Sequence, residues 1–195
     1  MAMLDLRLSN GPIPNIPLYH FDFVMADNPW RFKHYSSKGE AKGATKHYRV
    51  MTLEEIKRLP VQHLCQKDCL LWLWVTNPML PQGLEVMDAW GFKYSTHGVW
   101  RKITKHGKLG FGYGYRLRSS HETFLIGTRG KPKSTRGIRS CFDGPLREHS
   151  RKPDEAYDVA EAMMPKATRL DLFSRQERPG WTAFGDEIEM FQGIT

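Results

Sequence analysis

The sequence predicts an α/β protein with a mixed, mainly parallel sheet and helices on both of its faces. Two strongly apolar runs, Phe21 to Ala26 and Leu70 to Val75, have the pattern of strands that are covered on both sides. Segments with helical periodicity follow them in the order strand, helix, strand, helix, which is typical of this fold class. The 195 residues, of which 40% are hydrophobic, are enough for one globular domain spanning residues 1–195.

The chain is predicted to begin with an extended lead-in over residues 1–20, because residues 10–17 hold three prolines and no periodicity. This segment also lacks the charged start and the apolar stretch of a signal peptide. No run of about 18 apolar residues occurs, so no membrane-spanning helix is expected. We therefore expect a cytoplasmic, intracellular protein that makes no membrane contact.

The first predicted strand covers Phe21 to Ala26, and an acid, Asp27, follows it directly. Ligands of open α/β sheets bind outside the carboxyl ends of strands, so the Asp27–Trp30 corner (Asp-Asn-Pro-Trp) is predicted to lie at a functional site. An ordinary turn is the alternative, because Asp, Asn and Pro are common turn residues. A turn does not require the indole of Trp30, however, whereas a pocket for a flat ring can use it.

A long polar loop and a short helix follow the corner. Residues 31–48 are basic and contain glycine, and a loop of this length in a compact domain is usually functional or mobile. Its position predicts a lid or a substrate-gripping loop, with a disordered insertion as the alternative. Thr52 to Leu59 is predicted to be a helix, because Thr52 and Glu55 form a capping box and Pro60 ends the pattern.

The second strand, Leu70 to Val75, contains Trp72 and Trp74, which we assign to core packing. A helix follows, with Gly91 as its C-terminal cap. Its apolar stripe consists of Leu80, Leu84, Met87 and Trp90. A moderate strand is then predicted over Phe92 to Lys102.

Two loops flank the third strong strand, Glu122 to Gly127. Residues 104–118 are rich in glycine and aromatic residues, and the stretch Gly110 to Gly114 superficially resembles a phosphate-binding loop. We exclude a dinucleotide fingerprint, because this stretch neither follows a strand directly nor leads into a helical pattern. Residues 129–150 are predicted to form a second long basic loop. Together with residues 31–48, both loops are assigned to the substrate side of the protein.

The last helix is predicted to start at Pro153, with Asp154 and Glu155 favourably placed at its N-terminal dipole. Its apolar residues recur with helical spacing and are assigned to the core: Ala156, Val159, Ala160, Met163 and Met164. Two further strands, Leu170 to Phe173 and Trp181 to Phe184, complete the predicted sheet.

The net charge of +8, from 29 Lys and Arg residues against 21 Asp and Glu residues, favours an anionic partner, nucleic acid above all. A charge that serves only solubility is the alternative. The basic residues are concentrated in residues 101–152, where only Glu122, Asp143 and Glu148 oppose them. Glycine and aromatic residues are interleaved with them, a combination that suits a phosphate backbone and stacked bases.

The three cysteines, Cys65, Cys69 and Cys141, include no Cys-x-x-Cys pair, so we expect reduced thiols. A metal site formed by Cys65, Cys69 and His63 is an alternative that lacks a second pair of ligands. We therefore predict no metal site.

The Asp27–Trp30 corner has the groups needed to methylate the exocyclic amine of a base. The lone pair of such an amine is delocalised into the ring, and two hydrogen-bond acceptors favour the pyramidal, more nucleophilic nitrogen. Asp27 supplies one acceptor, and the backbone carbonyl of Asn28 or Pro29 supplies the other, with Pro29 restricting the chain. Trp30 supplies a face on which the base stacks, worth about 1–3 kcal/mol. These four residues are the candidate catalytic residues.

Asp27-Asn28-Pro29-Trp30 is similar to the Asp-Pro-Pro-Trp motif of the MT-A70-like family of adenine-N6 methyltransferases, which are related to the catalytic subunit of the eukaryotic mRNA N6-adenosine enzyme. Further blocks resemble this family in the same order, and together they span about residues 21–190. They are Tyr48 to Ile56, His121 to Gly127, Ser150 to Glu155 (Ser-x-Lys-Pro-Asp-Glu), Leu172 to Arg175 (Leu-Phe-x-Arg), Gly180-Trp181 and Gly185 to Glu187. Ordered blocks are far more specific than any single one.

The resemblance implies a Rossmann-like methyltransferase fold in which the catalytic motif precedes the cofactor-binding segment, with S-adenosylmethionine lying across the carboxyl ends of the strands. It implies that Lys152 contacts the cofactor's carboxylate and that Arg175 contacts its ribose region. Asp186 and Glu187 are implied to bind the ribose hydroxyls or the adenine, and Asp27 to lie beside the methionine end as well as the target amine. The alternatives are a surface ion pair for Arg175 and a solvated position at the helix start for Lys152.

The resemblance also implies adenine-N6 methylation of nucleic acid. We favour DNA over RNA, and a microbial or phage-like source, because the chain is compact and carries no appended RNA-binding module. The target base of a duplex must be flipped out, and residues 31–48 and 104–118 would hold it. A homo- or heterodimer is left open. The candidate nucleic-acid-binding residues are Lys33, Tyr48, Arg116 and Arg118.

Two residues depart from the family pattern. Asn28 replaces the first Pro of the motif, so the corner is less rigid and gains a side-chain donor and acceptor. Asp186 stands where Asn is common, which adds charge near the ribose.

Two alternative functions remain. The first is DNA cytosine-N4 methylation, because the same corner serves any amino base. The second is a non-catalytic nucleic-acid-binding subunit with the same fold, which would have no need of Asp27.

Overall fold

The computed structural model describes residues 16–30, 50–114, 116–148 and 151–191. The strands within them are β1 (Phe21–Ala26), β2 (Cys65–Val75), β3 (Lys93–Ile103), β4 (His121–Arg129), β5 (Cys141–Pro145), β6 (Arg169–Leu172) and β7 (Trp181–Phe184). The α-helices are α1 (Leu53–Lys57), α2 (Leu80–Ala89) and α3 (Asp154–Met163). Every predicted strand and helix is present, and β5 is an addition.

The strands form one sheet in the order β5-β3-β4-β2-β1-β6-β7. Strand β1 pairs in parallel with β2 and with β6, and β3–β5 and β6–β7 are parallel too. Strand β4 runs antiparallel to both of its neighbours, β2 and β3. The prediction of a mixed, mainly parallel sheet is therefore confirmed.

This topology brings the carboxyl ends of six strands to one edge of the sheet. Because β4 alone among these strands is reversed, the carboxyl ends of the other six meet at the edge where β4 begins. Asp27 follows β1 at this edge, Glu122 is the second residue of β4, and residues 104–120 connect β3 to β4 there. The edge is where ligands of open α/β sheets bind.

The core consists of two apolar layers, one on each face of the sheet. Helices α1 and α2 pack on one face, through residues such as Ile56 and Val86 against Val24 and Leu71. Helix α3 packs on the other face, against Phe23, Trp72 and Trp74. The Trp72 ring stacks on Phe124 with centroids 3.7 Å apart. Helices thus cover both faces as predicted, and the assignment of both tryptophans to core packing is confirmed.

Strand β5 corrects the prediction that residues 129–150 are one loop. It is the outermost strand of the sheet, where it pairs with β3, and Gly144 is its one buried residue. A Cβ at Gly144 would lie 2.8 Å from the indole nitrogen of Trp100, which donates a hydrogen bond to the Gly144 carbonyl (2.9 Å). An exposed edge strand that needs glycine for close packing has no apolar pattern to reveal it.

The helices differ from prediction in length and in orientation. The capping box of Thr52 and Glu55 is confirmed, but α1 ends at Lys57, two residues early. In α2 the predicted stripe is partly wrong, because Leu80 and Leu84 are exposed while Gly83, Val86 and Met87 are buried. A Cβ at Gly83 would lie 2.4 Å from a Val75 methyl group, so the helix packs on the sheet through its glycine. Gly91 caps the helix with a φ of 78°.

The N-terminal lead-in is described only from residue 16. Its described part is not simply extended, because Leu18 and Tyr19 form a turn in which Tyr19 has a φ of 53°. None of the helices in the described ranges has the length and apolar character needed to cross a membrane. The single-domain assignment stays a prediction.

Candidate active site

The Asp27–Trp30 corner lies at the carboxyl end of β1, and its first three residues, Asp27 to Pro29, line an open cleft of about 710 Å³. The Asp27 backbone N–H donates to the carbonyl of Leu172, at the end of the neighbouring strand β6 (3.3 Å). The opposite wall comes from residues nearly 150 positions later in the chain: Phe173, Ser174, Arg175, Asp186 and Glu187. The structure therefore joins the predicted catalytic corner to three of the predicted cofactor-binding residues.

The far wall has a backbone that only specific residues allow. Phe173 adopts a φ of 67°, a left-handed conformation that is strained for an aromatic residue. A Cβ at Gly185 would lie 2.1 Å from the Ser174 carbonyl, so glycine is required where the two loops touch. Beyond this contact Arg175 and Glu187 form an ion pair of 3.2 Å. The two loops thus place Arg175, Asp186 and Glu187 together on the cleft wall.

A second cleft, of about 380 Å³, adjoins the first and shares Asp27, Phe173, Ser174 and Arg175 with it. Lys152 lies here, as do Trp74 and four residues that the sequence analysis did not single out, Arg151, Tyr157, Asp171 and Arg178. The two clefts meet at Asp27, so all of the predicted catalytic and cofactor-binding residues except Trp30 line one continuous depression.

The floor at Asp27 is a chain of alternating charges. The Lys152 ammonium lies 2.6 Å from the Asp27 carboxylate and 2.9 Å from the Glu122 carboxylate. Glu122 in turn pairs with Lys102 (2.9 Å), and the Lys152 ammonium stands 5.3 Å from the centre of the Trp74 ring. Lys152 is only 8% exposed, so the solvated position considered as its alternative is wrong. It is a buried cation that bridges two acids.

Burial and pairing together set the charge states of this chain. Burial raises the pKa of Asp27, against the opposing attraction of Lys152. Burial disfavours the charge of Glu122 too, but the nearby Lys152 and Lys102 outweigh it and lower the pKa of Glu122 to about 2. For Lys152, burial acts to lower the pKa, and Asp27 and Glu122 more than compensate, so its pKa is raised. Lys152 is therefore a permanent cation beside an aspartate that is a better proton acceptor than a free one.

Asp171 is a buried acid on β6 that sequence reasoning missed. Its carboxylate accepts hydrogen bonds from the Tyr157 hydroxyl (2.9 Å) and the Ser174 hydroxyl (2.8 Å). Burial raises the pKa of Asp171 to about 6, although both hydrogen bonds act to lower it. A signal was present, because a lone acid within the apolar run Leu170 to Phe173 is unusual for a buried strand.

The Trp30 ring is packed in the core and is not part of either cleft lining. It is 5% exposed, and its indole N–H donates to the Trp74 carbonyl (3.3 Å). The ring therefore anchors the corner to β2 in this arrangement, and the stacking of a base on Trp30 stays a prediction. The Asn28 carbonyl accepts from the Trp30 N–H (2.8 Å) and the Pro29 carbonyl from the Met51 N–H (2.9 Å). Both predicted backbone acceptors thus already have a donor.

The loop between β3 and β4 is folded back on itself and carries exposed aromatic and basic side chains. The Gly112 N–H donates to the Ser119 carbonyl (2.8 Å), and a Cβ at Gly114 would lie 1.9 Å from the Leu117 carbonyl. Phe111 and Tyr113 are 80% and 87% exposed, and the Arg118 guanidinium lies 5.5 Å from the centre of the Phe111 ring. Arg116 and Arg118 are exposed on this loop, as a nucleic-acid-binding role requires.

Several predicted site residues fall outside the described residues. These are the whole 31–48 loop, which includes Lys33 and Tyr48, and Ser150. No cluster of His, Cys, Asp and Glu that could hold a metal ion occurs in the part of the chain that the structure describes. Cys65 is buried with its thiol donating to the Val61 carbonyl (3.1 Å), in agreement with reduced cysteines that serve packing.

Comparison with known proteins identifies related sequences. The profile of the MT-A70 family matches residues 21–187. The chain is 33% identical to an N(6)-adenosine-methyltransferase MT-A70-like protein of Arabidopsis thaliana, over 86% of this chain and 24% of that protein. It is 27% identical to the type II methyltransferase M.MunI of Mycoplasma sp, over 90% of this chain and 81% of the relative.

A third relative is the human N(6)-adenosine-methyltransferase catalytic subunit METTL3, 28% identical over 87% of this chain and 28% of that subunit. The chain thus spans about a quarter of the plant and human relatives but most of the Mycoplasma one. The matched segment contains the whole cleft, from the Asp27 corner to Glu187.

Proposed function

Because this chain belongs to the MT-A70 family, we propose that it is an S-adenosylmethionine-dependent methyltransferase that modifies the N6 amine of adenine in nucleic acid. One observation carries the proposal: a single cleft joins Asp27, Asn28 and Pro29 to Arg175, Asp186 and Glu187. The first set suits an amino base, and the second suits a nucleoside. A cleft that holds both partners of a methyl transfer side by side is what the reaction requires.

The residues of the cleft fit the cofactor. Two adjacent carboxylates, Asp186 and Glu187, can accept hydrogen bonds from the two hydroxyls of a ribose. An ammonium has three N–H donors, and Lys152 uses two of them on Asp27 and Glu122. The third is left for the carboxylate at the methionine end. When bound, S-adenosylmethionine supplies an electrophilic methyl group on a positively charged sulfur.

The protein's part in the transfer is to hold and activate the amine. Asp27 accepts a hydrogen bond from the amine and draws its lone pair out of conjugation with the ring. The nitrogen would then take the methyl group that the bound cofactor supplies, and the electron pair of the broken carbon–sulfur bond would stay on sulfur. The nitrogen loses the proton that it donates to Asp27, whose pKa is raised by burial. Lys152 keeps this carboxylate in place.

We favour DNA as the substrate over RNA. This preference rests on the similarity to the type II methyltransferase M.MunI of Mycoplasma sp, a DNA methyltransferase. The exposed loop of residues 104–118 carries Lys105, Lys108, Arg116 and Arg118 and no acid, and it leaves the sheet at the same edge as Asp27. Phosphate groups beside the cleft would meet this positive surface.

The decisive experiment offers unmethylated DNA and RNA in parallel to the purified protein with labelled S-adenosylmethionine, followed by mass spectrometry of the nucleosides. N6-methyladenine is the expected product. Label in N4-methylcytosine would instead establish cytosine-N4 methylation. Binding of nucleic acid with no label in either polymer would identify a non-catalytic binding subunit. An intracellular location and a homo- or heterodimeric state are further expectations, the second of which light scattering tests.

A further inference from the structure

We infer that residues 130–140, which connect β4 to β5, form a second nucleic-acid-binding surface that holds the flank of a DNA duplex whose target base lies in the cleft. This inference rests on the proposed function and adds a distant contact to it. The loop contains no acid. It carries four exposed cations, none of which forms an ion pair within the described part of the chain: Lys131, Lys133, Arg136 and Arg139.

The loop starts at the edge of the sheet opposite to the cleft, because β4 is reversed. Strand β4 carries Glu122 at its cleft end and Arg129 at its other end, beside Cys69 of β2. The distance from Glu122 to Arg129 along the strand is about 23 Å, at a rise of about 3.3 Å per residue. The cations of the loop therefore lie too far from the cleft to contact the target base, and only a ligand that extends well beyond that base can reach them.

Hydrogen bonds to two neighbouring elements hold the loop in a defined shape. The Lys131 backbone N–H donates to the Asp68 carboxylate (2.8 Å), so this acid binds the backbone of the loop. Thr135 donates its backbone N–H to the Met163 carbonyl (2.8 Å) and its hydroxyl to the Ala162 carbonyl (2.7 Å), at the end of α3. An ordered loop loses little conformational entropy when it binds a ligand, which favours a binding surface over a charge that serves only solubility.

The two basic loops lie at opposite ends of the same side of the sheet. Strand β3 ends at the cleft edge, where residues 104–118 follow it, and β5 pairs with β3 as the outermost strand. Residues 130–140 lead into β5 from the other edge. A duplex along the β5 side of the sheet therefore contacts both loops. The separation of about 23 Å corresponds to about 7 base pairs, because a turn of about 10 base pairs spans about 34 Å.

Two contacts on one duplex strengthen each other, because the second forms within a complex that already exists. Fluorescence anisotropy tests this with a mixed-sequence duplex of about 40 base pairs, which spans both loops, and a hairpin whose stem of about 6 base pairs is too short to do so. Replacing all four cations by glutamine should weaken binding of the duplex about 10- to 100-fold and lower its slope of log affinity against log salt by about 3. Binding of the hairpin should weaken less than about 3-fold. The fold should be unchanged by circular dichroism, since the four side chains are exposed. The combined variant is Lys131→Gln, Lys133→Gln, Arg136→Gln and Arg139→Gln.

A pair of single variants separates a defined surface from diffuse attraction. Arg136→Gln should weaken binding of the long duplex about 3-fold, and Lys93→Gln should leave it unchanged. Lys93 is an exposed cation at the same edge, but it follows α2, which packs on the face of the sheet opposite to α3.

Three results would overturn the inference. Equal effects of Arg136→Gln and Lys93→Gln would show diffuse attraction, and equal losses for hairpin and duplex would show that no duplex bridges the two loops. Unchanged duplex affinity of the fourfold variant would leave the loop to solubility or to an acidic protein. Wild-type protein that shows the expected differences in binding but transfers no methyl group would contradict the proposed function alone.

Discussion

The Asp27 corner and the loop of residues 104–118 leave the same edge of the sheet but are built on opposite principles. At the corner the charged groups are buried or half-buried and each has a partner of opposite sign, as in the chain from Lys102 through Glu122 and Lys152 to Asp27. On the loop the aromatic rings of Phe111 and Tyr113 are almost fully exposed. The corner is built to fix the positions of the reacting groups, whereas the loop exposes a surface that a large partner can bind.

The difference shows that a count of basic residues overstates the nucleic-acid-binding surface. Among the described residues of the stretch 101–152, basic side chains that form ion pairs with acids include Arg101, Lys102, Arg147, Arg151 and Lys152. Lys102 and Lys152 serve the charge chain under the cleft. The basic surface that faces a partner is better represented by Arg118, which lies over the exposed Phe111 ring.

Asp27→Ala should have the largest effect, because it removes the acceptor of the target amine from the corner. Methyl transfer is expected to fall at least about 1000-fold. Circular dichroism should show an unchanged fold, since Asp27 is partly open to the cleft, with 29% of its side chain exposed. The matched control is Asp143→Ala, which removes an exposed acid paired with Arg101 and should keep its activity. Full activity of Asp27→Ala would refute the mechanism.

Lys152→Met should affect stability most among the variants considered. It leaves the buried carboxylates of Asp27 and Glu122 without their shared cation, which costs about 3–5 kcal/mol of unfolding free energy. Urea unfolding measures this, and adding Glu122→Gln to the variant should recover part of the loss. Arg101→Met, at an exposed ion pair, is the control and should change stability far less. Equal losses of unfolding free energy in the two variants would contradict the claim that the buried charges stabilise the fold more than the exposed ones.

Asp171→Asn should change how stability depends on pH. Because the pKa of Asp171 is raised from 3.8 to about 6 in the fold, the protonated form is favoured by folding. That stabilisation is fully present below pH 3.8 and is lost as the pH rises through about 6, an effect of about 3 kcal/mol. The variant cannot titrate here, so its unfolding free energy relative to wild type, measured by urea titration, should increase by this amount between pH 3.5 and pH 7. Parallel pH profiles would contradict the assignment.

Arg116→Ala and Arg118→Ala should have the smallest effects and act on binding alone. Each is expected to weaken nucleic-acid affinity about 3- to 10-fold and to reduce the slope of log affinity against log salt by about 1. Lys93→Ala is the control, because Lys93 is an exposed cation at the other end of β3. Fluorescence anisotropy at several salt concentrations gives both quantities. A loss of kcat without a change in affinity would contradict the assignment of these two arginines to nucleic-acid binding.

The sequence predicted which residues line the walls of the cleft better than it predicted those of the cleft floor. Asp27, Lys152, Arg175, Asp186 and Glu187 were all identified, because ordered motifs state which residues belong together. Glu122 and Asp171 were placed in predicted strands and given no role in the site. Glu122 meets Lys152, and Asp171 meets Tyr157 of α3, only when the chain has folded, because these partners lie well apart in the sequence.

The sequence alone determined the order of the strands and helices apart from β5, the capping box at Thr52 and the part of the cleft lining that the ordered blocks contain, because these depend on local patterns and on blocks along the chain. The tertiary structure decided which charges are buried and which are exposed. For Asp27 this distinction matters most, since the aspartate at the end of β1 acquires a raised pKa and a lysine partner 125 residues away only when the sheet has formed. Burial and long-range pairing are properties of the folded chain, and no spacing in the sequence encodes them directly.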